Sequence, residues 1–170
     1  LLQRRGDIDG AMQIVRAALA HTTNHAALHG DLAGLLWRRG DHDTALATYR
    51  NAVTLAPDDT RYMHAMAQSL SELGRQREAV DIYNKALGID GDNIALLRDA
   101  VIAYEKLGHF DQGDAVLQRA LLHHADNTEL LRTAAGFALR RGQITRARSY
   151  VAKALWRARN DDQSWLQAGL

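Results

Sequence analysis

Apolar residues recur along this chain at intervals of three and four, as in Leu28, Leu32, Leu35, Leu36 and then Ala45, Tyr49, Ala52, Val53. That spacing places them on one face of a helix, and no stretch alternates with the period of two that a half-buried strand requires. Leu and Ala dominate and Pro57 is the only proline, so the pattern predicts an all-helical chain. Helices are expected near 10–22, 27–39, 43–55, 61–73, 77–89, 95–107, 111–123, 129–141, 145–158 and 162–169.

The pattern repeats. Gly6, Gly40, Gly74, Gly108 and Gly142 stand 34 residues apart. Ala18, Ala52, Ala86, Ala120 and Ala154 keep the same period, as do Ala11, Ala45, Ala79, Gly113 and Ala147. Each glycine falls between two helical stretches, where a left-handed C-terminal cap suits the one residue without a Cβ. The alanines fall inside the second helix of each pair, where a small side chain lets a neighbouring helix approach and a large one would overpack it. Arg-Arg precedes Gly6, Gly40 and Gly142. Cations in a last helical turn complement the helix dipole, so these arginines are read first as cap-stabilising.

The columns resemble those of the tetratricopeptide repeat family. With Ala26 as first position, the unit 26–59 carries Ala33, Gly40, Ala45, Tyr49, Ala52 and Pro57, the small, aromatic and proline positions of that family. Units 60–93, 94–127 and 128–161 follow, with Ala67, Val101 and Ala135 in the first small column and Tyr83, Leu117 and Val151 in the aromatic one. Gly91, Ala125 and Arg159 replace the proline. Residues 1–25 read as the back of a preceding unit, and 162–170, with Trp165, Ala168 and Gly169, as the opening of another. The resemblance implies a right-handed α-solenoid of stacked antiparallel helix pairs, one array over 1–170. Both ends then cut through a repeat, which predicts exposed apolar residues at Ile14, Val15 and Leu19 and a tendency to self-associate. The opening Leu1-Leu2-Gln3-Arg4-Arg5 is neither an initiator methionine nor a signal peptide and suggests a segment of something longer.

Composition narrows the chemistry. There is no cysteine, hence no disulfide, thiolate metal site or catalytic thiol. The formal charge is +1, and no apolar run approaches a membrane span. His21, His25 and His29 have the spacing of ligands on one helix, but the repeat register puts a turn among them, which argues against a metal site. No phosphate loop, nucleophile elbow or His-Glu-x-x-His helix occurs, and Asp58-Asp59 and Asp161-Asp162 read as helix starts. No enzyme activity and no cofactor are expected.

What the resemblance implies is binding. In the family, positions 2, 5, 9, 12 and 13 of the first helix of each unit face an inner groove. Here these include Trp37 and Arg38; Arg61, His64 and Gln68; Arg98, Ile102 and Glu105; and Arg132 and Arg140. Trp37, bordered by Gly30 and Gly34, is read as an aromatic shelf, and Arg61, Arg98 and Arg132 as guanidinium donors recurring once per repeat. The lysine–asparagine clamp of chaperone-binding members is missing, since Gly30 and Gly34 stand in its place. The asparagine ladder of members fused to sugar transferases is missing as well, with Asp31, Ala65, Asp99 and Thr133 at that position. Unit 128–161 carries eight cations against two acids, whereas the three units before it are each slightly acidic. The expected function is a non-catalytic scaffold for a protein or peptide, an acidic one first; no aromatic stacking pattern supports nucleic acid. The alternative is a segment of a bacterial secretion or exopolysaccharide-export machine touching envelope components or polymer. The excess of arginine, 18 against three lysines, suggests a GC-rich bacterial genome and leaves cytoplasm and periplasm both open.

Overall fold

A computed structural model describes the backbone of residues 2–168 and the side chains of 7–159. Among the described residues the chain is helical throughout, with nine helices joined by short turns. Two compact units divide at residue 91. The first holds α1 (Leu2–His21), α2 (Ala26–Arg39), α3 (His42–Leu55), α4 (Thr60–Glu72) and α5 (Gln76–Ile89). The second holds α6 (Ile94–Lys106), α7 (Phe110–His123), α8 (Thr128–Arg140) and α9 (Ile144–Ala168).

The glycine column does what its spacing predicts at four of its five positions. Gly40, Gly74, Gly108 and Gly142 have φ of 94°, 75°, 74° and 71°, the left-handed region that disfavours any Cβ. Each turn is sealed by the same two backbone bonds. At the first, Gly40 N–H donates to Trp37 O at 2.9 Å and Asp41 N–H to Leu36 O at 3.0 Å. Arg75 to Leu70, His109 to Tyr104 and Gln143 to Ala138 repeat the outer bond at 2.9, 3.0 and 2.9 Å. The paired bonds satisfy carbonyls that the helix end leaves open and reverse the chain within two residues.

The helix that follows each inter-repeat turn starts on a side-chain cap. His25, Asp59, Asn93 and Asn127 accept from the backbone N–H of Leu28, Arg61, Leu96 and Leu130. His25 is therefore used as a cap, and the His29 ring pairs with the carbonyl of Thr23 at 3.0 Å. The turn predicted among the histidines is present at residues 22–25.

Two expectations fail at the ends. Gly6 does not break the chain, because α1 runs without interruption from Leu2 to His21. A glycine inside a helix loses only about 1 kcal/mol relative to alanine, too little to force a turn by itself. The break expected at 159–161 is likewise absent, and α9 continues as one 25-residue helix through Asp161-Asp162. Nothing between Ile144 and Ala168 is a glycine or proline, and Arg159, which stands where a proline would end the helix, is a good helix former. The family signature read at Trp165, Ala168 and Gly169 lies outside the described side chains.

The small columns form the cores. Ala33, Ala45, Ala52, Ala67, Ala79 and Ala86 are fully buried in the first unit. There α1 and α2 share a cluster of Ile8, Met12 and Leu36 with Ala45 of α3. In the second unit Val101, Leu117, Ala134 and Phe137 form the corresponding cluster. Gly113 replaces the alanine of its column because a Cβ there would sit 3.1 Å from the ring of Phe137 and 3.3 Å from Tyr104. A large residue on α8 is thus matched by a missing methyl on α7. Of the three apolar residues expected to be exposed on α1, Ile14 is, while Val15 and Leu19 are half-buried.

Candidate functional site

The residues singled out for binding fall into both units, and each unit treats them differently. In the first, Trp37 is no free shelf. Its indole N–H donates to Glu72 at 3.0 Å, its ring lies 4.3 Å from that of His42, and its apolar edge packs on the core cluster of α1 and α2. Gly30 is covered instead, since the Tyr62 ring occupies the space where a Cβ would stand. Arg61 is exposed but turned back on its own helix cap, forming two bonds with Asp59 at 2.9 and 2.6 Å and lying over the Tyr62 ring. Asp59 thereby caps α4, and its carboxyl is held below the usual range chiefly by the Arg61 guanidinium. His64 is half-buried, edge-on to Tyr83 at 6.1 Å, and Gln68 is exposed. Arg38 is exposed and borders a shallow hollow of about 430 Å³ between α1 and α2, with Asp31, Gly30 and Gly34.

The second unit assembles a cleft. Arg98 and Ile102 of α6 and Glu129, Arg132, Thr133, Gly136 and Arg140 of α8 line a hollow of about 380 Å³. Its cations are not equivalent. Arg98 bonds to Asp99 at 2.7 Å and to Glu129, one repeat on. Arg140 forks onto Glu105, with one of its two bonds at 2.6 Å. These contacts raise both guanidinium pKa values further and hold the arginines in place as the walls of the cleft. Gly136 makes room for this, because the Arg140 side chain folds across it at a distance a larger residue would crowd. Arg132, between them, is exposed and has no hydrogen-bond or ion-pair partner among the described residues. The cleft therefore offers one uncommitted guanidinium and one exposed apolar side chain, Ile102, while the Thr133 hydroxyl at its side donates to the Glu129 carbonyl at 2.9 Å.

Of the residues expected to act together, Arg98, Ile102, Glu105, Arg132 and Arg140 do meet, with Glu105 as the brace of Arg140 rather than as lining. Sequence reasoning missed the bracing. Trp37 to Glu72 and Glu105 to Arg140 are the same contact in two units, position 12 of one repeat to position 13 of the next, 35 residues apart. A polar pair recurring at one repeat length plus one was the signal. A second feature went unread, an apolar groove of about 460 Å³ between α8 and α9 lined by Leu139, Ile144, Val151 and Leu155 among others. Among the described residues no three His, Asp or Glu side chains converge to hold a metal ion, and no helix is long and apolar enough to cross a membrane.

Short helices in sealed pairs, small columns at 34-residue spacing and left-handed glycines at each hairpin define a helical-repeat protein. The tetratricopeptide repeat family matches residues 23–92 and again 70–132, and the chain belongs to it. Solved structures agree on the fold. A MamA structure from Desulfovibrio magneticus RS-1 superposes with a TM-score of 0.78 at 15% identity, over 94% of this chain and 90% of its own. YrrB, described as a tetratricopeptide protein with an unusual peptide-binding site, gives 0.68 at 22% identity, over 84% and 74%. PilW, a type IV pilus biogenesis factor, gives 0.73 at 21%, over 92% and 73%. No curated protein matches the sequence.

Proposed function

We propose that the chain is a non-catalytic interaction scaffold and that the cleft between α6 and α8 receives an extended, acidic segment of a partner protein. The observation that carries this reading is the contrast among its cations. Arg98 and Arg140 are braced by Glu129 and Glu105, while Arg132 is left without a partner between Ile102 and Thr133. A ligand carboxylate meeting Arg132 finds a charge-assisted donor with no existing pair to break, and Ile102 beside it gives an apolar contact that sets register. The description of YrrB as peptide-binding is consistent with this use of the fold.

A panel of fluorescent acidic peptides tests it. Arg132→Ala is expected to weaken binding about tenfold, the loss of one charge-assisted hydrogen bond, and to flatten the salt dependence. Arg98→Ala, which loosens a wall, is expected to weaken it less. Unchanged affinity in Arg132→Ala would remove the cleft as the site.

A second reading, a segment of an envelope secretion or polysaccharide-export machine, is favoured by one feature. From residue 130 to 160 there are eight cations and no acid, a surface suited to an anionic polymer. Retention of the chain on an acidic polysaccharide that outcompetes the peptides would favour this reading over the first.

A further inference from the structure

In the second unit, α7 and α9 lie on the side away from the cleft of α6 and α8. A hollow of about 330 Å³ runs between them, with Gln118 and Leu122 of α7 on one wall and Ser149, Tyr150 and Lys153 of α9 on the other. From α8, Leu131 lines this hollow, while Arg132 and Thr133 line the cleft. Two large apolar side chains stand out on this outer side. Leu122 is 82% exposed, and Trp156, one helical turn beyond Lys153, is 62% exposed.

The two occupy the same repeat position, 34 residues apart, and each follows an exposed cation by three residues: Arg119 and Leu122, then Lys153 and Trp156. A spacing of three puts cation and apolar residue on one helix face. Earlier in the chain these columns hold Ala17 and Ala20, Asn51 and Thr54, Lys85 and Gly88, so the paired pattern belongs to the second unit. Exposure here is a property of the column rather than of the chain end. Leu122 has a helix pair after it, α8 and α9, and stays uncovered, because that pair packs on the Leu117 and Leu121 flank of α7.

Charge narrows what the face meets. To residue 159, α7 and α9 carry six Lys and Arg against two Asp, and both aspartates are taken, Asp111 by Arg141 and Asp114 by Arg146. Arg119 and Lys153 have no partner among the described residues. From this arrangement we propose that the outer face of α7 and α9 docks the chain on an anionic lipid bilayer, with Leu122 and Trp156 entering the headgroup layer and Arg119 and Lys153 meeting lipid phosphates. Trp is favoured at that depth, where its ring is apolar and its N–H stays wet, and cations beside it add attraction to anionic lipid. A bilayer takes up separate apolar side chains from a polar face without needing a matching shape. A protein partner is the poorer fit, because its interface centres on a continuous apolar patch, and here Ala115, Gln118 and Ser149 surround the two anchors.

The test uses the chain 1–170 and sedimentation with vesicles of phosphatidylcholine, alone or mixed with phosphatidylglycerol. Binding is expected to the mixed vesicles only and is expected to fall as salt rises. Tryptophan emission should move to shorter wavelength on binding, and Trp156→Ala should abolish that shift although Trp37 and Trp165 remain. Arg119→Gln and Lys153→Gln should each weaken binding about fivefold. Leu122→Ser and Trp156→Ala should each weaken it about tenfold. All four side chains are exposed, so thermal melts should not change. Arg132→Gln, an equal loss of charge on the opposite side, should stay within about twofold of the native chain. Failure to bind the mixed vesicles overturns the proposal, as does equal sedimentation with both vesicle types. Equal weakening by Arg132→Gln and Lys153→Gln, or an emission shift that survives Trp156→Ala, overturns it too, since this face would then not be what meets the lipid. A dimer or an acidic-peptide complex that Trp156→Ala dissolves, with no vesicle binding, gives the face to a second copy or to a protein partner instead.

Discussion

Gly113 and Phe137 show how a single residue departs from its column without breaking the repeat. Alanine is worth about 1 kcal/mol over glycine inside a helix, so Gly113→Ala would ordinarily stabilise α7. Here the new methyl meets the Phe137 ring at 3.1 Å, and the two effects oppose each other. The substitution is therefore expected to bring no gain in the native background and to recover most of that stabilisation, about 1 kcal/mol, when Phe137 is replaced by leucine. Thermal unfolding of the two single variants and the double variant measures the coupling; simple additivity would show that the ring does not decide the column. Truncation of Phe137 to alanine, which opens a cavity between α7 and α8, is expected to lose about 3–5 kcal/mol.

At the scale of the element, the two helices of each pair are held by different devices. The first begins on a side-chain cap and ends on a left-handed glycine, whereas α3, α5 and α7 begin without a side-chain cap bond and rely on the turn before them. Gly74→Ala forces a Cβ into φ 75° and is expected to lose roughly 1–2 kcal/mol in denaturant unfolding, with helicity retained. Ala86, fully buried in α5, should not accept a large ring. Ala86→Trp is expected to lower stability by about 3 kcal/mol or more through overpacking, and full thermal stability in that variant would contradict the buried column.

The same devices explain what was legible beforehand. Four hairpins could be read from glycine spacing because only a residue free of Cβ fits the reversal, and the buried alanines could be read because close helix approach excludes larger side chains. Gly6 was misread because a breaker acts only where packing supports the turn it permits, and the 159–161 turn because no breaker stands there at all. Among the site residues, Arg98, Ile102, Arg132 and Arg140 were placed on one face by the register alone. That Trp37 and Arg61 are engaged elsewhere follows from partners, Glu72 and Asp59, whose side-chain directions no spacing rule supplies.

Over the whole molecule, charge links stability to pH in a direction that can be derived. Asp41 is held below the usual carboxylate range by hydrogen bonds from Thr44 and Arg39, Asp59 by Arg61 and Glu78 by Arg75. All three lie in the first unit. A carboxyl with a lower pKa in the folded chain than in the unfolded one stabilises the fold above its unfolded value, and that contribution disappears as pH falls through the folded value. The window accordingly lies below about pH 4, the range in which free aspartate and glutamate titrate. Because Glu78 is exposed and Asp41 and Asp59 are partly so, salt should shrink the effect. Urea midpoints are expected to fall between pH 5 and pH 3, and less steeply in a variant carrying Asp59→Asn and Glu78→Gln, which removes two of the titrating groups. The asparagine side chain keeps an oxygen for the α4 cap, so at neutral pH the variant should lose the ion pairs alone. An identical pH profile in native and variant chains would mean that these pairs, short as they are, do not couple protonation to folding.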